Sequence, residues 1–362
     1  MTLYAASSPG EVRVAAVVDG VLLDYAIWRP GRPDGVGDVH RGRITAVVPG
    51  MAGAFVAIAG ADGFLPDSAG AAGHGVGDIL SVRVVRAAQG GKGPRLAAAT
   101  TPPGSGPPIL LQPGPNAVER LAALHPGAVV VNDPGLAALL RPTLADRVSI
   151  GPGWGDTIDD AIAALTDPAV ALPGGLRATI EPTAALVAID MDMAAATAGR
   201  ELKPSKQEAA NRAALPALVR QIRLRNLSGA ILLDLAGLSL RKRASLAEPI
   251  RTALSTDPLN PRLLGFTNGG LAEIQRPRIH PPLHELLAGP HATGLAALRQ
   301  VLAMADITNP PWLRAAPDVA SALESDPIAL TTLANRLGRP LLVRSDPALR
   351  SCRWAIEETV RA

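Results

Sequence analysis

Ala184-Ala185-Leu186-Val187-Ala188-Ile189-Asp190 and Gly229-Ala230-Ile231-Leu232-Leu233-Asp234 are the two stretches that decide the fold. Each is an apolar run of strand length that ends on an aspartate. Between them, Glu208 to Leu224 has the helical period. Leu215, Leu218, Val219 and Ile222 fall on one arc, and Arg212, Arg220 and Arg223 fall on another. Pro216 interrupts this helix and is expected to kink it, since an interior proline costs about 3 kcal/mol. Strand, helix, strand in this order predicts a right-handed parallel crossover. Asp190 and Asp234 then stand together at the carboxyl edge of one sheet, where α/β proteins place ligands.

On the C-terminal side, Leu263 to Phe266 reads as a further strand, with Arg276-Pro277-Arg278 in a loop beyond it. On the N-terminal side the pattern changes character. Asp19-Gly20, set between Val17-Val18 and Val21-Leu22-Leu23, is the two-residue type I′ hairpin signal. From Val39 to about Thr100, short strands alternate with turn signals and no helical period, which predicts a small antiparallel barrel. Thr101 to Pro108 is proline-rich and reads as its exit linker. Strand–helix alternation follows: Ile109 to Gln112, Ala128 to Val131 and Arg147 to Ile150 as strands, with helices at Val118 to Leu124, Gly135 to Leu140 and Thr157 to Leu165.

The chain has 362 residues, enough for two or three domains at roughly 150 each. Hydrophobic residues make up 48% and aromatics only 2%, so its cores must be aliphatic. A formal net charge of +3 does not by itself imply a polyanionic partner. Only Lys92, Lys203, Lys206 and Lys242 among the 35 basic residues are lysines; the rest are arginines, whose forks suit phosphate. A single cysteine, Cys352, excludes a disulfide framework and any multi-cysteine zinc site. No apolar run reaches about 18 residues, and the start lacks a basic segment before an apolar one. A soluble, cytoplasmic protein is the expectation.

Two carboxylates about 4 Å apart repel by roughly 4 kcal/mol at an effective dielectric of 20. One would stay protonated unless a cation lies between them. Mg²⁺ fits, because it binds through one or two carboxylates plus water and substrate phosphate, and it can activate water for phosphodiester attack. Spacing alone is equally met by aspartates that merely open turns. Arg276 and Arg278 read either as a phosphate clamp or as a solvated loop. Phe55 and Phe64 read as base-stacking platforms, with Lys92 reaching a backbone phosphate, or as ordinary barrel core. His280 and His284 are spaced like a metal pair, but Pro281-Pro282 forbids the helix that spacing needs. Gly151 to Gly155 resembles a phosphate loop, but Asp156, Asp159 and Asp160 would repel the anion.

Taken together, these segments resemble the ribonuclease E/G family of bacterial endoribonucleases. Gly37-Asp38-Val39-His40-Arg41-Gly42-Arg43-Ile44, Val48-Pro49-Gly50-Met51, Ala54-Phe55-Val56, Gly63-Phe64-Leu65-Pro66 and Gly91-Lys92-Gly93 resemble its inserted S1-type RNA-binding barrel. Ile189-Asp190-Met191-Asp192 is similar to its first metal-aspartate motif. Arg220-Gln221-Ile222-Arg223-Leu224-Arg225-Asn226-Leu227, Gly229 and Asp234 match its most recognisable stretch and second metal aspartate, and Glu273, Arg276 and Arg278 follow in order.

The resemblance implies an α/β multidomain chain. Residues 1–28 plus 105–173 would form a ribonuclease-H-like structural domain, with residues 29–104 as an inserted S1-type OB-fold barrel. Residues 174–289 would form a deoxyribonuclease-I-like catalytic domain, and residues 290–362 a small C-terminal α/β domain. It further implies Mg²⁺ held by Asp190 and Asp234, with Asp192 orienting water or adding a metal contact. Phe55, Phe64, Lys92, Arg276 and Arg278 would bind single-stranded RNA, which is cut to 5′-phosphate and 3′-hydroxyl ends. Three departures stand out. Asp192 replaces the family's usual asparagine, Gly237 replaces a usual aspartate, and Leu286-Leu287-Ala288-Gly289 carries no Cys-x-x-Cys zinc link. The 5′-sensing subdomain is missing between Thr101 and Gly127. The expectation is therefore a reduced member with no zinc-linked tetramer, dimerising if at all through the C-terminal region. An RNA-binding protein with lost catalysis is the alternative.

Overall fold

The computed structural model describes residues 1–193, 204–304 and 311–358. It is a mixed α/β chain that divides into two compact units. The first comprises Met1–Asp19, Ala26–Trp154 and Leu283–Ala362; the second comprises Gly20–Tyr25 and Gly155–Pro282. Among the described residues no helix is long and apolar enough to cross a membrane.

The chain opens with β1 (Thr2–Ser8), β2 (Glu11–Val18) and β3 (Val21–Trp28). Between the last two, Asp19 and Gly20 have φ of 49° and 76°, the two positive values that a type I′ turn requires. Then come β4 (Val39–Val48), β5 (Gly53–Ile58), β6 (Ala61–Pro66), β7 (Ile79–Arg86) and β8 (Arg95–Ala98). These five close on themselves, since β5 pairs with β4 as well as with β6, which makes the barrel expected of an S1/OB-like domain. Its interior is aliphatic, built on Ile44, Val56, Leu65, Val82 and Leu96.

Next, β9 (Ile109–Gln112) pairs with β4 at the barrel wall, with His40 opposite Leu110. The sequence boundary at 104/105 had assigned this strand to the ribonuclease-H-like half; its hydrogen bonds place it on the barrel sheet. Helix α1 (Ala117–Leu124), β10 (Ala128–Val131), α2 (Pro134–Leu144) and β11 (Val148–Ile150) follow. Asn116 and Glu119 form a capping box at the start of α1, and Asp133 caps α2. Strands β10 and β11 extend the first sheet in parallel, giving the order β11-β10-β1-β2-β3.

The second unit contains α3 (Asp156–Ala163), β12 (Ala169–Leu172), β13 (Leu176–Pro182), β14 (Val187–Met193), α4 (Pro204–Leu224) and β15 (Gly229–Asp234). After these come α5 (Leu240–Ala244), α6 (Ala247–Leu254), β16 (Arg262–Phe266) and β17 (Ala272–Arg276). Its six-stranded sheet runs β12-β13-β14-β15-β17-β16, with β14 and β15 parallel and every other pair antiparallel. Ile189, Met191, Ile231, Leu233 and Ile274 point to one face, where Leu215, Leu218 and Ile222 of α4 and Ile250 of α6 complete the core. The unit starts at Gly155, and β12 belongs to its sheet, so this unit begins earlier than the boundary expected at residue 174.

The remaining elements return to the first unit: α7 (Leu283–Leu286), α8 (Gly289–Met304), β18 (Pro311–Ala315), α9 (Pro317–Glu324), α10 (Pro327–Leu337), β19 (Val343–Ser345) and β20 (Trp354–Glu358). Of the expected C-terminal domain, residues 305–310 and 359–362 lie outside the described residues. The rest forms a three-stranded sheet, β19-β18-β20, with its own apolar core around Leu295, Leu298, Leu313 and Leu323.

Candidate functional site

Strand register brings the two aspartates together. Along the parallel pair, Val187 lies opposite Ile231 and Asp190 opposite Asp234, the last pair of the ladder. Strand β14 does not stop at Asp190, as the sequence reading had it. It continues to Met193 because β13 keeps pairing with it, Arg177 facing Asp192 and Thr179 facing Asp190. With a period of two, Asp190, Asp192 and Asp234 share the face opposite the core. Asp190 and Asp192 are exposed, and their side chains make no hydrogen bond or ion pair among the described residues.

Asp190 is therefore electrostatically strained. Partial desolvation, then the charges of Asp192, Asp234 and Glu181, push its carboxyl above the ordinary aspartate range. Asp234 differs, because the Arg243 guanidinium is bonded to one of its oxygens. The turn beyond Asp234 is fixed from α4. Buried Asn211 donates to the Ala236 carbonyl at 3.0 Å and accepts from the Ala236 N–H at 3.0 Å. Gly237, in the left-handed region at φ +61°, lies against Gln207, which a Cβ there would meet at 3.0 Å. No carboxylate stands at that position.

Among the described residues no three His, Cys, Asp or Glu side chains converge as a metal cage, so Asp192 does not complete a three-ligand set. A pair of carboxylates whose charge is uncompensated on the Asp190 side does fit Mg²⁺, which takes one or two carboxylates and keeps several waters. Asp190 and Asp234 would hold it, and bound there it would polarise a phosphodiester and supply an activated water.

The expected arginine clamp is not at this edge. Strand β17 runs antiparallel to β15, with Ala272 opposite Leu233 but Arg276 opposite Gly229. Five steps along β15, from Gly229 to Asp234, at about 3.3 Å each put Arg276 roughly 16 Å from the aspartate end. Arg276 is also not in a loop: it is the last residue of β17 and is buried. It bonds Asp257 at 2.6 Å, Asn226 at 2.7 Å and the Leu227 carbonyl at 3.0 Å. A guanidinium so committed ties the sheet to the end of α4 and is not available to RNA. Arg278 is exposed, next to Gly229 at the same far end.

The arginine-rich stretch before β15 is structural for the same reason. Asn226 sits at φ +47° as the left-handed residue that ends α4. The Leu227 N–H bonds the Ile222 carbonyl and the Asn226 N–H bonds the Arg223 carbonyl, which is the Schellman pattern. The Asn226 amide donates to the carbonyls of His280 and Pro281. Arg223 pairs with Asp24 and donates to the Thr256 carbonyl, and Arg225 donates to Gln221 and the Ala164 carbonyl.

In the first unit, Phe55 and Phe64 face each other across β5 and β6 on the outside of the barrel. Their ring centroids are 5.6 Å apart at 66°, an edge-to-face contact. Lys92 is exposed in the tight turn that closes with Gln89, and Arg95, also exposed, pairs beside Phe64. The two rings thus form an open platform next to basic side chains.

Residues 156–279 match the family model described as Ribonuclease E/G family. That range holds both aspartates, the α4 terminus and Arg276. Over this segment the chain is similar to the ribonuclease E/G family. Ribonuclease E of Escherichia coli is 30% identical over 156 residues, covering 41% of this chain and 15% of that protein. Ribonuclease E of a Nostoc species is 35% identical over 134 residues, covering 36% and 19%. Ribonuclease G of Haemophilus influenzae is 30% identical over 152 residues, covering 40% and 31%. The matched part thus spans under a third of the length of each of these relatives. Within the matched segment, sequence reasoning found the aspartates but missed Asn211 and Arg243. The signal for the latter was the basic triplet Arg241-Lys242-Arg243 shortly after Asp234.

Proposed function

We propose that this protein is a Mg²⁺-dependent endoribonuclease that cuts single-stranded RNA to 5′-phosphate and 3′-hydroxyl ends, in RNA processing or decay in the cytoplasm. The observation that carries the reading is the in-register pair of Asp190 and Asp234 at an exposed strand end, inside the segment that matches the ribonuclease E/G family. Asp190 and Asp234 hold the metal; Asp192, on the same face, orients water. Phe55, Phe64 and Lys92 receive RNA at the barrel, and Arg278 contacts backbone phosphate away from the cut. In this reading the first sheet is ribonuclease-H-like and structural, and the second unit is a deoxyribonuclease-I-like catalytic domain. No zinc-linked tetramer is proposed, since residues 286–289 contain no cysteine; self-association through residues 290–362 is left to a sizing measurement.

A second reading, an RNA-binding protein without catalysis, is favoured by one observation: Gly237 leaves the turn after Asp234 without a carboxylate. Incubation of the purified protein with an end-labelled single-stranded RNA separates the two. Cleavage with Mg²⁺ that EDTA abolishes supports the endoribonuclease; binding with intact RNA under both conditions supports the binder.

A further inference from the structure

The aspartate edge contains a guanidinium held in a built berth. Arg243, in α5, has a side chain only 15% exposed. Its Nε donates to the Leu238 carbonyl at 2.9 Å, and its Nη1 donates to the Gly270 carbonyl at 3.2 Å and to a carboxylate oxygen of Asp234. Arginine has five N–H donors, and these bonds use three. Nη2 makes no hydrogen bond among the described residues, so its two donors are left over. The berth depends on a glycine. Gly270 lies at φ +85°, and a Cβ there would stand 2.9 Å from Arg243 Cδ and 2.5 Å from Leu240 Cδ2.

We propose that Arg243 is the phosphate-binding residue of this edge: Nη1 stays on Asp234 while Nη2 donates to a non-bridging oxygen of the RNA phosphate. The assignment rests on the reading of the edge as an RNA-cleavage site and names the residue that receives the substrate there. Three negative charges, on Asp190, Asp192 and Asp234, would otherwise repel a phosphate. A charge-assisted guanidinium contact offsets that repulsion, and a fork fixed in advance loses little side-chain freedom on binding. The other arginines suit the role less well. Arg276 is buried at the far end, Arg278 is exposed at the far end, and Arg177, opposite Asp192, is exposed, its side chain held by no hydrogen bond among the described residues.

The test is fluorescence anisotropy of the full chain with a labelled single-stranded RNA in EDTA, over a salt series. Arg243→Gln should weaken binding about tenfold and lower the salt slope by about 0.7, the share of one single-strand phosphate. Arg251→Gln, which removes an exposed charge from α6, should leave both unchanged. Gly270→Ala keeps the arginine but fills its berth, and should reproduce the tenfold loss. Either variant, folded by circular dichroism but with wild-type affinity and slope, would reduce Arg243 to a tie for Asp234 and overturn the assignment. Because binding is read without metal, failure of the wild type to cleave in Mg²⁺ would sink the endoribonuclease reading alone, whereas an unchanged slope in an active enzyme would sink the Arg243 assignment alone.

Discussion

Glu11 and Asp190 are both acidic residues on β-strands, and the protein treats them in opposite ways. Glu11, in the first unit, is buried and accepts hydrogen bonds from Arg13 at 2.9 Å, Arg299 at 2.9 Å and Arg29 at 3.1 Å. Burial opposes its ionisation, but the charges of Arg299, Arg13 and Arg29 outweigh that, and its carboxyl lies below the ordinary glutamate range. Asp190, in the second unit, is exposed, faces carboxylates and is pushed the other way. A satisfied carboxylate joins segments far apart in the chain. An unsatisfied one at a strand end is retained at a cost in stability.

Removing the satisfied partner should have the largest effect on stability. Glu11→Gln leaves three guanidinium groups around a neutral amide, and breaking a buried charge network typically costs about 3–5 kcal/mol. Denaturant unfolding followed in the first unit should show that loss. A variant with wild-type stability would mean the arginines are solvated well enough without Glu11.

The barrel platform extends the contrast to apolar surface, since two aromatic rings lie outside the barrel core. Phe55→Ala or Phe64→Ala should each weaken single-stranded RNA binding by roughly 1–3 kcal/mol if the ring stacks on a base, with little change in folding. Unchanged affinity in a folded variant would leave the pair as a surface contact only.

The smallest effect sharpens the comparison through pH. Glu11 is lowered, so its stabilisation is present above the ordinary glutamate value of about 4.3 and is lost as pH falls through its folded value. Asp190 is raised, so its contribution is fully present below the ordinary aspartate value of about 3.9 and is lost as pH rises through its folded value. Asp190→Asn should therefore melt at or slightly above the wild type at neutral pH, and the gap should close on acidification. Thermal melts across that range check it; a variant less stable at neutral pH would contradict the strain assigned to Asp190.

What the sequence made legible was whatever short-range pattern controls. The parallel crossover follows from two apolar runs around an amphipathic helix, and the register of Asp190 with Asp234 follows from where each run ends. Asp19-Gly20 specifies its turn because both residues tolerate positive φ. What escaped was fixed by partners distant in sequence. Ala272–Arg276 does not read as a strand because its inward arginine looks like a loop residue until Asp257 is seen beside it. Arg243 looks like one of three basic residues on a surface helix until the Gly270 and Leu238 carbonyls close around it. Ile109–Gln112 carries no mark of which sheet will take it, because a short apolar strand fits either.

The central claim is that the aspartate pair performs metal-dependent cleavage rather than RNA binding. Cleavage and binding of one single-stranded RNA should be measured side by side for wild type, Asp190→Asn and Asp234→Asn, in Mg²⁺. The account predicts that each variant loses cleavage while its RNA affinity is unchanged or higher, since a negative charge has been removed from beside the phosphate. Cleavage within a few-fold of wild type in either variant would contradict it.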